Sequence, residues 1–148
     1  MNIFAAVIAG LLSTIVFTMV LFMAPRMGMP KMDIVAMLST MFGKANRPLG
    51  WALHLMMGVV FALIYAFLWS KGIGAATWKW GLAFGAAQWL IVGVVMGMIP
   101  LVHLGIRRGE AKAPGLWMTN NGGMLAFGGG LMGHMIFGIV TALVYALV

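Results

Sequence analysis

Two histidines lie within apolar segments of this chain, where an ionisable side chain is uncommon. His54 and His134 are 80 positions apart, each at the start of a 15-residue stretch, and seven of the fifteen residues are identical between the two copies. On a helix, residues at i, i+4, i+8 and i+11 share one face. The repeated face consists of His54, Gly58, Ala62 and Tyr65 in the first copy and of His134, Gly138, Ala142 and Tyr145 in the second. An ionisable residue at membrane depth is a functional candidate, so the two imidazoles are the strongest candidates for chemistry.

Paired imidazoles from two helices of a bundle can supply both axial ligands of a haem b. In that hypothesis Gly58 and Gly138, one turn further along, would leave space for the flat ring. The alternative is structural, because a neutral histidine in a membrane helix forms interhelical hydrogen bonds and a nearby glycine is a packing notch. Thr18 is expected at a depth similar to that of His54 and is an available partner. We favour packing and predict no cofactor, since a duplication preserves a structural histidine as readily as a ligand.

Methionine is the second unusual feature, with sixteen residues in the chain. The candidates near the first basic turn are Met23, Met27, Met29 and Met32. Thioethers suit Cu(I), a soft ion, so these residues indicate copper handling as a further alternative. Methionine also fills irregular gaps between helices, and the sequence leaves both interpretations open. No set of serine, histidine and acid can be assembled at one depth, so we predict that the protein is not an enzyme.

The composition is that of an integral membrane protein. The chain is 64% hydrophobic and 7% charged, whereas soluble domains carry about 25% charged residues. A helix needs ~20 apolar residues to cross a bilayer. Four runs meet that length, namely Ile3 to Ala24, Leu49 to Trp69, Trp78 to Leu101 and Met124 to Val148. We therefore predict a single transmembrane domain, 1–148, in contact with lipid. The net charge of +7 lies at the ends of these spans, so it indicates orientation and not nucleic-acid binding.

The predicted fold is an all-α four-helix bundle built from two tandem two-helix repeats, residues 1–70 and 78–148. A fainter similarity between the first helices of the two halves pairs Gly10 with Gly85, at an offset of 75. Two repeats with an even number of spans would be related by a pseudo-twofold axis along the membrane normal. In the first connection, Asp33 can cap a short interfacial helix that Gly43 ends.

Span three carries a series of glycines typical of close helix contacts in membranes. The predicted packing positions are Gly81, Gly85, Gly93 and Gly97, with Ala62 and Ala142 on the repeated faces. Such seams exceed what one small bundle needs, and no catalytic set accompanies them. We therefore expect an accessory or scaffolding subunit that packs against other membrane subunits or against copies of itself.

The spacing of histidine, glycine and tyrosine resembles that of a family of small, four-span bacterial inner-membrane proteins of unknown function, across most of the chain. The resemblance implies a bacterial inner membrane. It implies no activity and assigns no role to any residue.

The distribution of basic residues predicts that both termini lie outside the cytoplasm. Seven lysines and arginines fall in the first and third connections, and two fall around the second; the more basic side is cytoplasmic. A periplasmic reporter enzyme fused after Val148 should therefore be active. Fluorescence of a cytoplasmic reporter at the same site would contradict this orientation.

Overall fold

The computed structural model describes all 148 residues, and its regular elements are all helices. The helices are α1 Ile3–Met23, α2 Ile34–Ser39, α3 Arg47–Ser70, α4 Trp78–Met98, α5 Leu104–Arg107 and α6 Gly123–Leu147. Short 3-10 turns cover Ala24–Met27, Ile99–Leu101 and Leu116–Asn121. Four helices, α1, α3, α4 and α6, are long and apolar enough to cross a membrane. The predicted all-α, multi-pass bundle is confirmed.

Local capping explains where the helices begin. The Asn2 side chain accepts a hydrogen bond from the backbone N–H of Ala5 at 3.0 Å, and the Asn46 side chain accepts one from Leu49 at 3.1 Å. These side chains satisfy N–H groups that have no partner within the helix. Proline ends α1 and α4, because Pro25 and Pro100 lack the N–H that would continue the helix.

The short helix predicted in the first connection is present. Asp33 caps it by accepting a hydrogen bond from Ala36 N at 2.8 Å. It ends at Ser39, so it is shorter than its apolar positions Ile34, Met37, Leu38, Met41 and Phe42 suggest. The helix packs against α3 at Gly50, where a Cβ would collide with the carbonyl oxygen of Val35. The helix is therefore part of the bundle and not only a surface anchor.

Glycines bring the helix backbones together within each half of the chain. A Cβ on Gly10 of α1 would lie 2.6 Å from Cα of Val59 in α3. A Cβ on Gly81 of α4 would collide with the carbonyl oxygen of Gly138 in α6, and one on Gly85 with that of His134. Ala62 and Ala142 are fully buried. Gly81 and Gly85 thus lie at helix contacts and both alanines are buried; their packing roles stay a prediction.

The register of the two helix pairs differs from the one that the sequence suggests. Gly10 lies against Gly58 and Gly81 lies against Gly138, so the equivalent of Gly10 is Gly81, at an offset of 71. Helices α1 and α4 nevertheless begin 75 positions apart, at Ile3 and Trp78, so the predicted pairing of Gly10 with Gly85 stays a prediction. The tandem repeat itself stays a prediction.

The two contacts between the halves of the chain, α1 with α6 and α3 with α4, also differ from each other. Helices α1 and α6 approach closely, and the Thr141 hydroxyl lies 2.9 Å from the Ser13 hydroxyl. Helices α3 and α4 are joined by large side chains, through a hydrogen bond of 2.5 Å from the Tyr65 hydroxyl to Gln88 Oε1 and an edge contact between the rings of Tyr65 and Phe84. An exact twofold axis would make these two contacts alike, and they are not.

The third connection turns back into the bundle. Leu116 and Trp117 fill the spaces that Gly97 and Gly93 leave on α4. The φ angles of Trp117 and Met118 are 48° and 57°, in the left-handed region that side chains disfavour. Gly93 and Gly97 were predicted to contact another helix, but they contact this segment, because the connection folds against α4.

Leucine at the contact glycines should destabilise the bundle. Gly85→Leu and Gly93→Leu each place a side chain where a backbone carbonyl or the Trp117 ring already lies, with an expected overpacking cost of about 1 to 3 kcal/mol. Thermal unfolding in detergent, followed by size exclusion, measures the loss. Gly128→Leu is the matched control, because no atom lies within 4 Å of a Cβ at that glycine. Equal melting of all three variants and the parent would contradict the contacts.

Candidate functional site

A cavity of about 50 Å³ lies among the four membrane helices and the first and third connections. Most of its lining is hydrophobic, and both His54 and His134 border it. The volume exceeds the roughly 10 to 15 Å³ needed for one water-sized occupant. Trp89 also lines the cavity, and its Nε1–H is buried without a hydrogen-bond acceptor. The cavity is therefore apolar with a few converging polar groups, which is typical of a binding site.

The hydrogen bonds of His54 determine which ring nitrogen carries the proton. His54 Nε2 and Thr18 Oγ1 are 3.0 Å apart, and the Thr18 hydroxyl donates its own proton to the carbonyl oxygen of Thr14 at 2.7 Å. Thr18 Oγ1 therefore accepts from Nε2–H, and Nδ1 of the neutral ring has a free lone pair. Nδ1 is buried and has no partner. The predicted bond between His54 and Thr18 is present.

His134 is held by its own helix. Its Nδ1 lies 2.8 Å from the carbonyl oxygen of Gly130, which can only accept, so Nδ1 is the protonated nitrogen. The lone pair is then on Nε2. The ring centroid lies 4.9 Å from that of Phe17 and 4.9 Å from that of Trp89. Each imidazole bonds within its own half of the chain, as the structural interpretation predicts, and each retains one nitrogen with a lone pair.

Both imidazoles also contact the same aromatic ring. The centroid of Phe17 is 5.9 Å from that of His54 and 4.9 Å from that of His134. The cavity is much smaller than pockets for small organic ligands, which measure roughly 300 to 1,000 Å³. Ligation of a haem would therefore require the cavity to widen. The spaces beside Gly58 and Gly138 are taken by Thr14 and by α4, so helix contacts explain both glycines, and the haem alternative stays a prediction.

Four methionines line the cavity together with the histidines, namely Met32, Met57, Met96 and Met118. Among the candidates predicted from the sequence, Met32 alone lines it; Met23 and Met27 are 55% and 73% exposed, and Met29 is half-buried.

The other three cavity methionines were not among the residues predicted from the sequence. Met57 follows His54 by three residues, a spacing that places both on one helical face and could have identified it. Met96 lies on α4 and Met118 in the third connection, so only tertiary packing brings them to the cavity.

The acidic residues lie outside the cavity. Asp33 and Glu110, the only two acids of the chain, are absent from its lining. No group of three or more histidine and acidic side chains converges anywhere in the structure. The residues at the cavity do not form the all-nitrogen and oxygen ligand set that Zn²⁺ sites commonly use in the absence of cysteine.

The third histidine has a structural role that the sequence analysis did not identify. His103 is fully buried; its Nδ1 accepts from Ile106 N at 3.1 Å, so Nε2–H donates to the carbonyl oxygen of Met37 at 2.9 Å. Both nitrogens are therefore occupied. His103 joins the first and third connections and is not available as a ligand.

Comparisons with protein families, with curated proteins and with solved structures find no match to this chain. The resemblance to small four-span bacterial membrane proteins stays a prediction. The function must therefore be inferred from the residues at the cavity.

The hydrogen bond beside the cavity, between Tyr65 and Gln88, should contribute to stability. Tyr65→Phe leaves the buried Gln88 Oε1 without its donor, and an unsatisfied buried polar group costs about 1 to 3 kcal/mol. Thermal melting in detergent measures the loss. Tyr145→Phe is the matched control, because the Tyr145 hydroxyl accepts from Asn2 N at the exposed end of the bundle. A Tyr145→Phe loss as large as that of Tyr65→Phe would contradict this expectation.

Proposed function

We propose that this protein binds Cu(I) within the membrane, at the cavity between His54 and His134. The proposal is based on the hydrogen bonds and tautomers of the two imidazoles. Histidines that bind metals typically donate their second N–H to an oxygen, which determines the tautomer and orients the ring. His54 donates to Thr18 Oγ1 and His134 to the Gly130 carbonyl oxygen, so both rings have this arrangement and each has one free lone pair.

The remaining cavity ligands favour a soft ion. Thioethers bind Cu(I) in preference to hard cations, and imidazole also suits copper. Met32, Met96 and Met118 border the same cavity as the histidines. With no acid there, the site has no negative ligand to neutralise a divalent ion, whose burial in a low-dielectric interior is costly. A monovalent soft ion is the cation that this set of neutral donors fits.

The location of the site agrees with a monovalent copper ion. We propose a bacterial inner membrane with the basic end of the bundle in the cytoplasm, following the charge distribution. Each histidine precedes the outer end of its span by about 14 residues, or ~21 Å along the helix, and so lies nearer the basic end. The cytoplasm is reducing, which favours the Cu(I) state. The ion would be held in the half of the membrane closer to that compartment.

The structure gives less support to the prediction of an accessory subunit. That prediction depended partly on glycine seams in excess of what one bundle uses, but Gly81, Gly85, Gly93 and Gly97 all have contacts within this chain. The exposed faces carry large apolar side chains on all four spans, which suits contact with lipid. Association with other subunits therefore stays a prediction, and copper binding has the stronger support from the cavity.

Anaerobic titration of purified protein with Cu(I), in competition with a colorimetric Cu(I) chelator, tests the proposal. We expect one bound ion per chain. His54→Ala and Met32→Leu should each lower the affinity at least about tenfold, and Thr18→Val, which removes the oxygen that orients His54, about 10- to 100-fold. Met27→Leu should leave the affinity unchanged, because Met27 is exposed and does not line the cavity.

Three results would contradict the copper site. The first is an ion that the chelator removes equally well from the parent and from His54→Ala. The second is equal affinity for Zn²⁺. The third is a loss of binding in Met27→Leu as large as in Met32→Leu. Thermal melting of the metal-free variants separates loss of a ligand from loss of the fold.

A further inference from the structure

Another cavity opens at the basic end of the bundle and shares only Met118 with the copper cavity. This groove of about 500 Å³ lies between the first and third connections. Both acids of the chain, Asp33 and Glu110, line it, together with Arg47 and Lys112. The end of the bundle as a whole carries seven basic residues, so the presence of both acids in one groove is distinctive.

Three of these four charges already have partners within the chain. Asp33 caps α2 by accepting from Ala36 N and lies 3.8 Å from Arg47. Lys112 Nζ donates to the carbonyl oxygen of Asn120 at 2.6 Å. The pair of Arg47 with Asp33 is the only ion pair in the structure, and 59% of the Arg47 side chain is exposed. Glu110 therefore has no ionic partner, and Arg47 has donors to spare.

Arg47 and Glu110 thus border one groove without pairing with each other. Opposite charges held apart in this way can bind a ligand that carries both signs. The guanidinium fits a phosphate through two parallel hydrogen bonds, and the carboxylate accepts hydrogen bonds from an ammonium group. The groove also has apolar lining from Ala36, Met37, Ala45, Ala111 and Met118, which suits the less polar part of a lipid.

We propose that this groove binds the headgroup of a phosphatidylethanolamine lipid, with the phosphate at Arg47 and the ammonium at Glu110. The structure favours a membrane lipid as the ligand, because the groove lies at the end of helices that are long and apolar enough to cross a membrane. Phospholipid is therefore always adjacent. This inference does not depend on copper binding.

Charge complementarity distinguishes this lipid from the other common headgroups. Basic residues at a membrane surface attract anionic lipids without specificity, but the unpaired carboxylate of Glu110 disfavours a headgroup with only negative charge. Phosphatidylcholine carries both charges, but its trimethylammonium has no N–H to donate to the carboxylate. Only the primary ammonium satisfies both Arg47 and Glu110.

Native mass spectrometry of the full chain in detergent, with three lipids of identical acyl chains, tests the site. Phosphatidylethanolamine should bind about tenfold tighter than phosphatidylcholine or phosphatidylglycerol. Glu110→Gln should reduce its affinity to that of phosphatidylcholine, and Arg47→Gln should weaken the binding of all three lipids. Lys71→Gln, at the opposite end of the bundle, is the control and should change none of them.

The proposal is overturned if phosphatidylglycerol binds tightest, or if phosphatidylcholine and phosphatidylethanolamine bind equally to the parent. It is also overturned if Glu110→Gln retains the full preference for the primary ammonium. Glu110 is exposed, so Glu110→Gln is expected to fold, and its melting temperature in lipid-free detergent verifies this.

Discussion

Close approach of antiparallel helix backbones at glycines is the constraint on which the rest of the structure depends. Lipid provides no hydrophobic drive between helices, so their association depends on tight packing and hydrogen bonds. Gly81 and Gly85 place α4 directly against the backbone of α6 at Gly138 and His134. Gly10 does the same for α1 and α3. Once these pairs are in contact, large aromatic side chains fill the space between α3 and α4, and the cavity lies where that filling is incomplete.

The hydrogen bonds of the buried polar groups set a few nitrogen atoms apart from the rest. Within a bilayer, polar groups need partners inside the protein, and most have them, as in the pairs of Thr141 with Ser13 and Tyr65 with Gln88. Four buried nitrogens lack partners: His54 Nδ1 and the indole nitrogens of Trp69, Trp89 and Trp117. His54 and Trp89 border the same cavity, and the lone pair of His54 is of the kind that a metal ion needs.

The basic end of the bundle is organised by a residue with no ligand role. His103 bonds to α2 and to its own connection, and Leu104 N donates to the carbonyl oxygen of Met41 at 3.0 Å. These bonds hold the first and third connections together. The two connections then form the groove between Arg47 and Glu110, while the third also delivers Met118 to the inner cavity. The third connection therefore contributes to both candidate sites.

The sequence by itself determined the number of membrane helices and where they begin and end, because hydropathy, caps and prolines are local properties. Depth along a helix made Thr18 an available partner of His54, but only the packing of α1 against α3 formed the bond. The sequence did not determine the register of α4 on α6. Gly81 and Gly85 are one helical turn apart. If α4 moved by one turn along α6, one glycine would take the place of the other, so the sequence alone does not choose between the two registers. Only side-chain packing distinguishes them. The same packing decided the composition of the cavity. Met96 and Met118 come from separate parts of the chain, and the free nitrogen of each histidine depends on which oxygen the tertiary structure places beside it.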